Sequence, residues 1–264
     1  MTTKPATVFL GEMTDPEVRA ALERTQTIII PTGSTEQHGP HGPLLTDAIV
    51  PTEVGRRVAE RIGALVGPAI NYALSYPHVG FTGVVHIRVT TFMSLIEDLC
   101  VALTSIGFRR VVFLNGHYDN TYAIAYACAN AADRLPAGAR CFPLNYWDGM
   151  TPDEAAEFFD PANGLHANKG ETSAVLAINP DLVDMDKANR EFPPFPETDS
   201  GPAVHTAFFF SSPGSIARAT KSGTWGDARE ASAEFGERYL EVVTNATVRL
   251  IDDVERTHQA MPGR

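Results

Sequence analysis

The chain has 264 residues, of which 44% are hydrophobic, 20% charged and 9% aromatic. That is enough to bury a full core, with the composition of an ordinary globular protein. Its 21 basic and 32 acidic residues leave a net charge of −11, a balance that argues against a nucleic-acid or anionic-membrane partner. No apolar run approaches the roughly 20 residues of a membrane helix, and the opening Met1-Thr2-Thr3-Lys4-Pro5 lacks the apolar segment of a secretory signal. Cys100, Cys128 and Cys141 are widely spaced in apolar neighbourhoods and read as reduced core residues. A cytoplasmic protein is expected.

Thr27-Ile28-Ile29-Ile30 is a β-branched run ending at Pro31 and Gly33, which predicts a buried strand entering a loop. Val54, Val58, Ile62 and Leu65 recur at helical spacing and predict an amphipathic helix that stops before Gly67-Pro68. Met93, Ile96, Leu99, Leu103 and Ile106 repeat that period, with Gly107 as a C-cap. Val111-Val112-Phe113-Leu114 predicts a second buried strand, broken at Asn115-Gly116-His117. Residues 121–135 read as a helix, 140–145 as a third strand and 170–178 as a short helix closed by Asn179-Pro180. Residues 191–213 are proline-rich and aperiodic, predicting an ordered loop or lid, and 227–258 predict a long C-terminal helix. Strands alternating with helices predict a single domain over residues 1–264, a three-layer αβα sandwich with a mainly parallel central sheet. In such sheets chemistry sits in the loops just past the strand carboxyl ends.

Polar clusters fall in those places. Gly33-Ser34-Thr35-Glu36-Gln37-His38-Gly39-Pro40-His41, followed by Asp47, packs two carboxylates and an imidazole into the loop after the first strand. Residues at i and i+2 in a turning loop converge on a cation, and this mixture suits Zn²⁺, Mn²⁺ or similar ions. His117 and Asp119 repeat the arrangement after the second strand. A third cluster holds His166, free for acid/base work or ligation, and Glu171, in a helix first turn where the dipole favours a carboxylate. Glu36, His38, Asp47, His117 and Asp119 supply five side chains, and one bridging carboxylate makes six contacts. Three protein contacts per ion leave positions open for water. Two such ions, about 3.5–4 Å apart, generate hydroxide and polarise a carbonyl, which is hydrolytic chemistry. Neither a G-x-G-x-x-G, a Walker A nor a G-x-S-x-G motif is present, and no cysteine has the setting of a nucleophile.

At these residues the sequence resembles the creatininase (creatinine amidohydrolase) family. The resemblance runs through Glu36-Gln37-His38-Gly39-Pro40-His41 with Asp47, Asn115-Gly116-His117, His166 with Glu171-Thr172-Ser173, Pro180-Asp181-Leu182-Val183-Asp184 and Ser222-Gly223-Thr224-Trp225-Gly226-Asp227. It implies a creatininase-like αβα fold, a binuclear Zn²⁺ or Mn²⁺ centre and a homohexamer. Carried over by position, Glu36, Asp47 and His117 would hold one ion. His38, Asp47 and Asp119 would hold the other, with Asp47 bridging. The family's creatininase has Glu where this chain has Asp119, one methylene shorter, so either the ion sits closer to the loop or Glu171 completes the shell. His166 matches the histidine taken to carry protons to the leaving group, and Tyr118 belongs to a His-Tyr-acid-Asn stretch resembling creatininase itself, which implies substrate contact.

The departures concern substrate. The tryptophan and acidic residues that creatininase has just before this histidine are replaced by Asp160-Pro161-Ala162-Asn163-Gly164-Leu165, and the usual F-P-G-T loop by Phe81-Thr82-Gly83-Val84, followed by His86-Ile87-Arg88. A cationic ring would lose stacking and charge partners, whereas His86 and Arg88 suit a hydroxyl-rich, uncharged ring. The expected activity is ring opening of a small molecule by metal-hydroxide attack on a carbonyl. The bond broken is the C–N bond of a cyclic amide, or the C–C bond of a diketo-inositol as in inositol catabolism. The alternatives are a formamide deformylase of cofactor biosynthesis, whose phosphorylated substrates want a basic pocket, and a non-catalytic maturation or scaffold protein.

Overall fold

A computed structural model describes residues 7–159, 163–196 and 203–261. Four parallel strands form the central sheet in the order β2-β1-β3-β4. They are β1 (Thr27–Thr32), β2 (Leu65–Val66), β3 (Arg110–Asn115) and β4 (Arg140–Asn145). β1 pairs in register with β3 from Thr27↔Arg110 to Thr32↔Asn115, and β3 with β4 from Arg110↔Arg140 to Asn115↔Asn145. Every residue of β1 is buried, as expected of a strand covered on both faces.

The alternation of side chains divides the core. Ile28, Ile30, Val111 and Phe113 pack on one face with Phe92, Ile96 and Cys100 of α3 (Val89–Ser105) and Ile124 and Cys128 of α4 (Thr121–Ala131). Ile29, Val112 and Leu114 face the other way. They meet Val50, Val54 and Val58 of α2 (Thr46–Ile62), Val175 of α6 (Lys169–Ile178) and Tyr239, Leu240 and Val243 of α9 (Ala233–Ala260). The architecture is the αβα sandwich that the alternation predicts. The three thiols are unpaired, Cys100 and Cys128 being buried.

Several boundaries differ from the sequence reading. α2 ends at Ile62 on the left-handed Gly63, so that Leu65 lies in β2 and not in the helix, and α9 begins at Ala233, later than the expected 227. β1 continues through Pro31, because a proline lacks only the donor, and the Pro31 carbonyl still accepts from the Ile70 N–H (2.9 Å). α2 begins at Thr46, well before the first periodic apolar residue, so that Asp47 lies in its first turn. Pro51 offers no N–H to the Asp47 carbonyl, and that oxygen lies against Gly33 and Gly116, where a Cβ would run into it. The two glycines thus let the ends of β1 and β3 close on the start of α2. Within 191–213, residues Ala203–Ser211 form a helix, α7, since this stretch is free of proline and glycine. Residues 197–202 of the expected loop lie outside the described residues. Phe195 packs edge-on against Phe208, Phe209 and Trp225.

A small antiparallel sheet, β5-β7-β6, stands apart in sequence from the central one. It comprises β5 (Gly164–His166), β6 (Arg190–Glu191) and β7 (Trp225–Asp227), the last lying where the sequence predicts the start of the C-terminal helix. No helix among the described residues is long and apolar enough to cross a membrane.

Candidate metal centre

Three loops build the site at the carboxyl end of the central sheet. After β1 the chain folds back on itself, with Glu36 N–H donating to the Leu44 carbonyl (3.0 Å) and Gly42 N–H to the His38 carbonyl (3.1 Å). Glu36 and His38 are left 1% and 2% exposed. After β3, the Asn115 side chain donates to the His117 carbonyl (2.7 Å) and accepts from the His117 N–H (3.1 Å). Asn120 donates to the Gly33 carbonyl (2.9 Å), tying this loop to the first. The third loop turns sharply from β5 into α6 through Ala167, held at φ 51°, a left-handed conformation that costs ~1–3 kcal/mol outside glycine. That turn lets Glu171 accept from the Ala167 N–H (2.7 Å), while Asn168 caps α6 by accepting from the Glu171 N–H (3.1 Å).

The side chains converge. Asp47 stands between two imidazoles, Oδ1 at 3.1 Å from His38 Nε2 and Oδ2 at 3.0 Å from His117 Nδ1. His117 Nε2 is 3.4 Å from Glu36 Oε2 and 3.7 Å from Asp119 Oδ2. Glu36 Oε2 accepts from the hydroxyls of Ser75 (2.7 Å) and Ser34 (3.1 Å), and its Oε1 lies 3.3 Å from His78 Nε2 and 3.7 Å from His166 Nδ1. Three triads bring ligand atoms within 4.8 Å of one another: Glu36-Asp47-His117, His38-His166-Glu171 and Glu36-His78-His166.

Burial sets the electrostatics. It pushes Glu36 up to about 8 against the pull of His117, and raises Glu171. Burial would depress His38, but the Asp47 carboxylate outweighs it and lifts the imidazole to about 9. Asp47 is opposed by burial yet held far below the usual range by His38 and His117. Burial, reinforced by His38, takes His166 down to about 3, and burial with His166 takes His78 well below its ordinary value. Protons on His38 and His117 are thus the counter-charge that the protein itself offers to Asp47. His38 Nε2, Asp47 Oδ2, His117 Nε2 and Asp119 Oδ2 are nevertheless buried without an aligned hydrogen-bond partner. An unsatisfied buried polar atom costs about 1–3 kcal/mol. Imidazole nitrogens and carboxylate oxygens left open toward one another fit a divalent cation.

Glu36, His38, Asp47, His117, His166 and Glu171 therefore meet, with Asp119 beside His117. Tyr118 stands at the rim, 64% exposed. His86 is half-buried and accepts from the Ser75 N–H (3.0 Å) through Nδ1, and Arg88 is exposed at the N-cap of α3. Sequence reading did not single out His78, Ser75 or the Gln37 side chain. The segment carrying Ser75 and His78 reaches the site with only isolated bridges such as Ala73↔His86, so no strand period marks it. The one available signal is a histidine after proline in Ser75-Tyr76-Pro77-His78.

Residues 11–251 match the family model of creatininase, creatinine amidohydrolase. The chain is 34% identical to creatinine amidohydrolase of Pseudomonas putida over 252 residues, covering 89% of this chain and 92% of that one. It is 28% identical to 3-dehydro-scyllo-inosose hydrolase of Thermotoga maritima (95% and 85% covered) and 32% identical to a mycofactocin precursor peptide peptidase of Mycobacterium ulcerans (91% and 91%). A crystal structure of creatinine amidohydrolase superposes with a TM-score of 0.81 at 32% identity, covering 94% of this chain and 98% of that one. Solved creatininases of this likeness include manganese and zinc–zinc forms. With sequence, fold and a buried ligand cluster in agreement, the chain belongs to the creatininase family and is a hydrolase.

Proposed function

We propose that the protein is a binuclear metal-dependent hydrolase that opens a small, hydroxyl-rich, uncharged ring of the keto-inositol class. The observation that carries the metal-dependent part is the set of open, buried atoms on His38, Asp47, His117 and Asp119. Glu36, Asp47 and His117 would hold one ion; His38, Asp47 and either Asp119 or Glu171 would hold the second. Zn²⁺ and Mn²⁺ both suit these donors. When bound, the ions supply Lewis acidity and lower the pKa of water.

The chain's own residues do the rest. Asp47 lies between His38 and His117 and holds the two halves of the site together. His166 would take a proton from the attacking water on its ring and pass it to the atom that leaves as the ring opens, and Tyr118, His86 and Arg88 meet the substrate from the rim. The chain works as one catalytic domain in a homohexamer, and its unpaired thiols suit a reducing, cytoplasmic setting.

The uncharged ring is favoured because the stretch just before His166, Asp160-Pro161-Ala162-Asn163-Gly164-Leu165, holds no aromatic side chain to stack on a cationic ring. Creatinine opening is the second reading. It is supported by Trp225, whose backbone pairs with His166 in the small sheet. The test is turnover of metal-loaded protein on creatinine beside 3-dehydro-scyllo-inosose, with a chelator-stripped control. Metal-dependent loss of the inosose alone supports the first reading, opening of creatinine alone establishes the second, and no turnover of either would sink both.

A further inference from the structure

Gln37 lies between the proposed metal ligands Glu36 and His38 in sequence, and its amide is directed to Gly39, Gly223, His78 and His166. It is 5% exposed, and its orientation is set by two backbone groups that leave no ambiguity. Oε1 accepts from the Gly39 N–H (2.9 Å), and Nε2 donates to the Gly223 carbonyl (3.1 Å). Gly223 is left-handed at φ 87°, and a Cβ there would run into Gln37 Oε1, so the amide is docked between loop 33–42 and the segment leading into β7. Nε2 also stands 2.9 Å from His78 Nδ1 and 3.0 Å from His166 Nε2.

Counting protons decides what these contacts are. The amide nitrogen has two hydrogens, and Gly223 takes one. His166 Nε2 is 2.7 Å from the Gln37 main-chain carbonyl, which only accepts, so His166 Nε2 carries a proton and cannot take the second amide hydrogen. That hydrogen goes to His78 Nδ1. In its neutral form His78 therefore carries its own proton on Nε2, the atom 3.3 Å from Glu36 Oε1. Neutral His166 is left with a bare Nδ1, 3.7 Å from the same oxygen.

We propose that Gln37 is a positioning residue that fixes His78 with its Nε2–H turned toward the metal ligand Glu36, alongside a His166 whose bare Nδ1 faces the reacting centre. Partners of this kind orient metal ligands, and their loss costs about 10–100-fold in affinity or activity. The part played by His166 in turnover rests on the ring-opening reading above; the proton positions do not.

The experiment is ¹⁵N NMR of histidine-labelled, zinc-loaded protein, which separates protonated, bare and ligated ring nitrogens, with zinc content measured alongside. In the unsubstituted protein, His78 and His166 are both expected as Nε2–H tautomers with bare Nδ1. Gln37→Met removes the donor, so His78 should lose its single tautomer while His166, held by a backbone carbonyl, keeps its own. Gln37→Glu presents an acceptor and should draw the His78 proton to Nδ1. With a ring substrate that turns over, Gln37→Met should lower kcat by about 10–100-fold with KM little changed. A His78 that keeps Nε2–H in both variants, a proton on His78 Nδ1 in the unsubstituted protein, or zinc on either Nδ1 would overturn the proposal. The predicted tautomers in a protein that opens neither ring would overturn the functional reading alone.

Discussion

At the scale of single residues, the proposed mechanism separates side chains that would hold ions from one that would handle protons. His166→Ala should keep its bound metal, measured by elemental analysis, and lose roughly 10²–10⁴-fold in turnover. A scaffold protein would keep its metal and its function, and unchanged turnover on the opened ring would remove His166 from the mechanism. Asp119 and Glu171 compete for the second shell. Asp119 has an open buried oxygen beside His117, whereas Glu171 accepts from the Ala167 N–H and shares a triad with His38. If Asp119 is the ligand, Asp119→Asn should reduce metal content toward one ion per chain while Glu171→Gln leaves it near two; the reverse result assigns Glu171. Most of this cluster was legible in the sequence, because Glu36, His38, Asp47, His117 and Asp119 stand in polar runs after apolar strands, and His166 and Glu171 in a polar run that opens a helix. His78 was not, since its segment carries neither strand nor helix period. The Gln37 side chain was not either, because an amide between two ligands gives no sign of which way it points.

At the scale of elements, the helices that back the site are pinned by charge as well as by apolar contact. Arg57 of α2 reaches Glu237 of α9 with both terminal nitrogens (2.6 and 2.8 Å) and Glu53 with Nε (2.7 Å). Burial would raise Glu53, but its bonds to Arg56 and Arg57 prevail and lower it, and Arg57 lowers Glu237. Carboxylates depressed in the folded state contribute stability that is present above their ordinary range near 4.5 and lost as pH falls below it. Arg57→Ala should cost ~0.5–1 kcal/mol near neutral pH by denaturant titration, with much of the difference from the unsubstituted protein gone near pH 3. An equal loss at both pH values would mean that Arg57 acts through packing alone. The sequence places α2 and α9 by their apolar spacing, but not the first turn of α2. That turn precedes Pro51, which reads as a break in a helix, and it is held where it is by the close approach of Gly33 and Gly116 to the Asp47 carbonyl.

At the scale of the whole molecule, the order β2-β1-β3-β4 brings the ends of β1 and β3 side by side, and the open ligand atoms make the folded state the one that binds ions. Ions held by the native chain and not by the unfolded one stabilise it by ~2.7 kcal/mol at a hundred times the dissociation constant. Removing them with a chelator should lower Tm by about 5–10 °C for a chain of this size, reversibly on adding back Zn²⁺ or Mn²⁺. No shift in a calorimetric scan would mean that the open atoms are satisfied in another way. The three-layer arrangement was legible from alternating periods. The small sheet was not, because its strands are only two or three residues long and pair across long stretches of chain.

That small sheet has a consequence for how the protein comes into being. His166 is placed by pairing with Trp225, and Gln37 by docking on Gly223, so the half of the site proposed to handle protons waits for a segment far downstream of His117. Glu36, Asp47 and His117, by contrast, lie on the loops after β1 and β3 and in the first turn of α2. A growing chain would therefore hold the proposed ligands of one ion before the segment that positions its proton carrier has been made.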